Sequence, residues 1–101
     1  MAVMTTTDDE KVAEKICRTL VEERLAACAQ VIKGIKSFYW WEGKVEESEE
    51  FLIFLKTKAQ LLPRLEERLK RLHNYSVPEI VALPFVSGSR EYFDWMLENL
   101  I

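Results

Sequence analysis

At 101 residues, 49% of them apolar and 31% charged, the chain has the make-up of one globular domain with a single modest core, not of a disordered segment. A net charge of −3 argues against a nucleic-acid binder, and no apolar run approaches the roughly 20 residues that cross a bilayer. The first residues show no basic stretch followed by an apolar core, so a signal peptide is not expected.

In chain order, "AVMTT" (2–6) suits a short strand. "TDDE" then reads as a capping box, with the Thr7 hydroxyl on the backbone near Glu10. Val12, Ile16 and Leu20, beside Ala13, Cys17 and Val21, make one apolar helix face, with Glu14 and Arg18 paired outside. That helix should end near Arg24 or Leu25. "AACAQVIKGIKSFYWW" is too rich in β-branched and aromatic residues for a helix, and its alternation slips at Gly34, predicting a strand with a bulge. Gly43 marks a tight turn, and "VEESEEFLIFLKTK" returns as the second strand of a hairpin. A helix over "QLLPRLEERLKRLHN" should start near 58–60, because Pro63 is tolerated only in a first turn. Leu62, Leu65, Leu69 and Leu72 share its inner face, and Glu66–Lys70 and Glu67–Arg71 pair outside. His73 falls in its last turn and Asn74 at its C-cap. "EIVALPFV" predicts another strand, and Ser89 caps a last helix with Tyr92, Phe93, Met96 and Leu100 inward.

The order β-α-β-β-α-β-α fits an α+β, ferredoxin-like sandwich over residues 1–101, plus a C-terminal helix. Two helices cover one sheet face, and a solvated second face should alternate apolar and polar. "FLIFL" does not, and "SFYWW" is aromatic on both faces, so oligomerisation through the sheet is expected. Dense surface ion pairing with few Asn and Gln hints at a thermophilic source.

Several segments resemble the CutA family of divalent-cation tolerance proteins. These are Leu25–Cys28; Ser37, Tyr39, Trp41, Gly43 and Lys44; Lys56 and Thr57; and His73, Tyr75, Pro78 and Glu79. The likeness runs from Met4 to Leu100. It implies a tight homotrimer with three sheets around one axis, in the manner of the PII signalling proteins, and a link to copper and other divalent metals. The chain departs from the family pattern at Thr5, where some bacterial members carry a metal-binding cysteine. It departs again at Leu72, where some carry a second histidine, and at Asn74, where proline is usual.

Two groups of residues carry candidate chemistry. The sole histidine, His73, with Glu79 begins a Cu(2+) site of imidazole and carboxylate, and Cys28 is a soft ligand for Cu(I). The plainer reading, which ligand count favours, makes His73 a solvated helix end and Cys28 a small packing residue. Tyr39, Trp41, Lys44, Lys56 and Tyr75 form the second group, an intersubunit cleft suited to a small anion in a PII-like regulatory module. Those aromatics alternatively fill the subunit contact. No Gly-rich phosphate loop, HExxH or GxSxG is present, so an enzyme is not expected and no cofactor is obligatory. Cys17 and Cys28 lack metal or redox spacing and predict reduced thiols in a cytoplasmic protein.

Overall fold

A computed structural model describes all residues from Met1 to Ile101. It contains β1 (Ala2–Thr7), α1 (Glu10–Glu22), β2 (Cys28–Trp41), β3 (Lys44–Lys56), a 3-10 turn (Ala59–Leu61), α2 (Leu62–Leu72), β4 (Val81–Leu83) and α3 (Arg90–Glu98). The four strands form one antiparallel sheet in the order β2-β3-β1-β4, the expected ferredoxin-like arrangement.

Register decides which side chains enter the core. Val3 pairs with Leu55 and Thr5 with Ile53, and these odd-numbered residues are buried beneath α1 and α2. They meet Ile16 and Leu20 of α1 and Leu65 and Leu69 of α2, all fully enclosed. The even-numbered strand residues face the other way. There α3 reaches only one end: Tyr92 touches Cys28 and Lys56, which are register partners. Ile32, Val81 and Leu83 remain 49%, 45% and 44% exposed, so the second face is the uncovered apolar surface the sequence implied.

The hairpin follows from two local devices. Ile32 pairs with Leu52 but Ile35 with Glu50, so β2 carries one extra residue, and Gly34 takes φ +69° there. At the tip, Glu42 and Gly43 both have positive φ between the paired Trp41 and Lys44, a two-residue turn whose twist matches the strands. The arm beyond the bulge leaves the helices behind, and Phe38, Trp40 and Val45 are 65%, 75% and 60% exposed.

Several expected details differ. Thr7 does not cap α1. It is still paired in β1, so the cap moves to Asp9, which accepts from the backbone N–H groups of Lys11 and Val12. The helix ends at Glu22, two or three residues early, because Arg24 turns left-handed at φ +59°. α2 closes at Leu72 with His73, not Asn74, as its C-cap. β4 spans three residues instead of eight, since Pro78 and Pro84 cannot donate to a ladder. Ser89 does cap α3, but Tyr92 is 37% exposed rather than inward. The Glu66–Lys70 and Glu67–Arg71 pairs form; Glu14–Arg18 does not, and Arg68 instead grips Glu23 of α1.

Candidate functional site

Where the arm leaves the body, a cleft of ≈ 720 Å³ opens. Ser37, Tyr39 and Trp41 form one wall, on the same face of the arm as Glu50. The opposite wall is the segment Tyr75–Glu79 between α2 and β4, and Thr6 and Asp8 from the end of β1 close the floor.

Glu50 is the unusual member. It is 5% exposed, and its Oε2 accepts a hydrogen bond from the Tyr75 hydroxyl at 2.6 Å. Burial, then the hydrogen bond and charge of Glu50, push the Tyr75 phenol well above its ordinary range, so it stays a neutral donor. Glu50 is not marked out by the local pattern, because "EESEE" reads as solvated surface. The available signal was register: Glu50 shares a strand face with Leu52 and Phe54, the apolar pair that opens onto the uncovered side.

His73 lies behind this wall and holds it. Its Nε2 donates to the Thr6 carbonyl at 2.8 Å, and its Nδ1 accepts from the Tyr75 backbone N–H at 3.0 Å. The neutral Nε2-protonated tautomer fits both bonds. Burial lowers its pKa, opposed by the Thr6 carbonyl and by the charges of Asp8 and Glu50. Asn74 ties the same corner, accepting from Thr7 Oγ1 at 2.6 Å and donating to Asp8 at 2.8 Å. This gives the residue that replaces the family's proline a local role.

The sequence-derived metal set is not brought together. His73 has no free ring nitrogen, Glu79 lines the cleft mouth, and Cys28 sits at the other end of the sheet. Cys28 pairs with Lys56 while Thr6 pairs with Leu52, a separation of about 13 Å along the strands. No three His, Cys, Asp or Glu side chains converge, so one chain does not fit a closed copper site. Thr5, one of the departures noted in the sequence, is wholly buried in the core. Leu72 packs against the same core.

The cleft set divides as well. Tyr39, Trp41 and Tyr75 line one cavity, as expected. Lys44 sits beside the hairpin tip, outside the lining, and Lys56 bonds the Tyr92 hydroxyl at 3.3 Å. Lys56 lies six steps along β3 from Glu50, about 20 Å. The charged residues of the lining are Asp8, Glu50 and Glu79, so the chain's own contribution to this cavity is negative and suits a cation, not an anion.

Comparison with known proteins agrees with this architecture. The sequence model described as CutA1 divalent ion tolerance protein matches residues 1–99. A divalent-cation tolerance protein CutA from Thermus thermophilus is 52% identical over 97 residues, 96% of this chain and 94% of its own length. The solved structure of the divalent cation tolerance protein (Cut A1) from the same organism superposes with a TM-score of 0.95 at 50% identity, covering 99% of both chains. The structure described as the periplasmic divalent cation tolerance protein CutA from Archaeoglobus fulgidus has a TM-score of 0.93 at 37% identity, covering 97% of this chain and 95% of its own.

Proposed function

Because the chain belongs to the CutA1 divalent ion tolerance family, we propose that it serves divalent-cation tolerance as a non-enzymatic homotrimer. Its contact with metal is weak, through the carboxylates of the cleft. The observation that carries this reading is the sign of that cleft: Asp8, Glu50 and Glu79 without a lysine, arginine or histidine among the lining residues. Carboxylate oxygens attract divalent cations, but a strong site needs several convergent ligands. With none converging in one chain, affinity is low unless a neighbouring subunit completes the shell. Copper bound to His73 requires the ring to give up either Thr6 or the Tyr75 N–H. Assembly is supported by the uncovered sheet face and the exposed aromatic arm.

Cytoplasmic residence is part of the same reading, supported by two free cysteines. The PII-like alternative, an anion in the cleft, finds no positive side chain of this chain there.

Calorimetric titration of Cu²⁺ and Zn²⁺, beside sedimentation equilibrium, tests the proposal. The expected result is a trimer mass with weak binding, reduced in Glu79→Gln and retained in His73→Ala. A tight site abolished by His73→Ala would restore the imidazole–carboxylate reading. Absence of any metal binding would remove the tolerance mechanism proposed here.

A further inference from the structure

Glu50 is a largely buried carboxylate with one oxygen bonded within the chain and the other reached from the cavity. It is 5% exposed, yet none of the ion pairs includes it. Tyr75 occupies Oε2, and Oε1 has no hydrogen bond within the chain although Glu50 lines an open cavity. The cavity therefore presents one carboxylate oxygen with no countercharge from this chain, an arrangement that favours a cation arriving from outside.

The surroundings say which kind. Tyr39, Trp41 and Tyr75 line the same cavity as this carboxylate. Aromatic faces attract organic ammonium and guanidinium ions. A bare divalent ion instead demands converging oxygen or nitrogen ligands, which are missing. The volume, ≈ 720 Å³, is that of a small-molecule site.

We propose that the cleft binds a small alkylammonium ion, with Glu50 as its buried counter-ion and Tyr39, Trp41 and Tyr75 as its aromatic walls. This deepens the proposed function, on which it rests only for the choice of the cleft as a cation site.

The test is calorimetric titration of the full chain with choline and with putrescine at constant ionic strength, with sodium phosphate as the anionic control. Saturable binding of an amine is expected, weakened about tenfold by Glu50→Gln and by Trp41→Leu and unchanged by Lys56→Gln. Thermal unfolding and sedimentation equilibrium of each variant check that it folds and keeps the wild-type mass. If Glu50→Gln does not fold, Trp41→Leu, on the exposed arm, still decides. No binding of either amine overturns the proposal. So does binding that survives the Trp41 substitution, or a stronger response to phosphate. A Cu²⁺ series run alongside separates the two readings. Amine binding without metal binding removes the tolerance mechanism alone, and metal binding without amine binding removes this inference alone.

Discussion

The imidazole of His73 joins two elements far apart in the chain: its Nε2 lies 2.8 Å from the carbonyl oxygen of Thr6, at the end of β1. With Nδ1 accepting from Tyr75, the ring is a neutral clamp between the sheet and the cleft wall. Burial holds its folded pKa below the ordinary value, so between the two values the unfolded chain binds more protons. The stability His73 contributes is therefore complete above the unfolded pKa of about 6.5 and is lost as pH falls from there through the lower folded value. We expect His73→Ala to cost about 1–3 kcal/mol at neutral pH. The gap to the wild type should narrow below about pH 6. Urea unfolding across pH, at one protomer concentration, measures both. A gap that widens on acidification would refute the neutral clamp.

Tyr75→Phe removes the donor on Glu50 and leaves that buried oxygen unpaired, for a loss of about 1–3 kcal/mol. The same variant gives a second readout. Because the Tyr75 phenol is pushed up, it contributes nothing to tyrosinate absorbance near pH 10, the ordinary tyrosine range. Alkaline titration of the variant should then match the wild type through that range. A missing tyrosine's worth of absorbance in the variant would show that the phenol ionises normally.

How much of this was legible can be said residue by residue. Hydrophobic periodicity placed Ile16, Leu20, Leu65 and Leu69 in the core, and the bulge at Gly34 and the turn at Gly43 follow from backbone freedom that glycine alone supplies cheaply. What stayed hidden depends on contacts distant in sequence. Glu50 becomes a buried group only when Tyr75, 25 residues on, folds over it. Likewise Lys44 and Lys56 share a sign and a strand, but a strand is too extended to bring both to one cleft. The capping error at Thr7 has the same origin: pairing with Phe51 outweighed a local cap signal.

Thr5 is a stability reserve. Its side chain is fully buried on the helix-covered face, and Oγ1 has no hydrogen-bond partner. Thr5→Val keeps the shape and removes an unsatisfied hydroxyl. We expect a gain of about 1 kcal/mol, read as a higher urea midpoint with unchanged slope. A loss instead would mean that the hydroxyl has a partner in solution.

Arg24 offers a gain through the backbone. At φ +59° it holds the left-handed position that ends α1, where Leu25 N–H reaches back to the Leu20 carbonyl at 3.0 Å. Its side chain makes no ion pair in the chain. Arg24→Gly should stabilise by roughly 1 kcal/mol, since glycine adopts this conformation without the Cβ clash. Arg24→Ala keeps that clash and serves as the control. Equal thermal shifts in the two variants would trace the effect to the lost charge, not to the backbone.

The uncovered sheet face makes the last prediction. Ile32 sits there 49% exposed, near Leu52 on β3, while Val81 and Leu83 extend the patch across β4. In an isolated chain Ile32→Glu exchanges one half-exposed side chain for another, a change of about 0.5 kcal/mol or less. In an oligomer closed over that face it buries an unpaired carboxylate at every copy of the contact, at several kcal/mol each. Sedimentation equilibrium should therefore show the assembly dissociating in Ile32→Glu. Circular dichroism would show whether the released chain keeps its secondary structure. Val21→Glu, on the helical side and 37% exposed, is the matched control and should leave the mass unchanged. Dissociation by Val21→Glu and not by Ile32→Glu would move the contact to the helices and leave the apolar sheet face without a role.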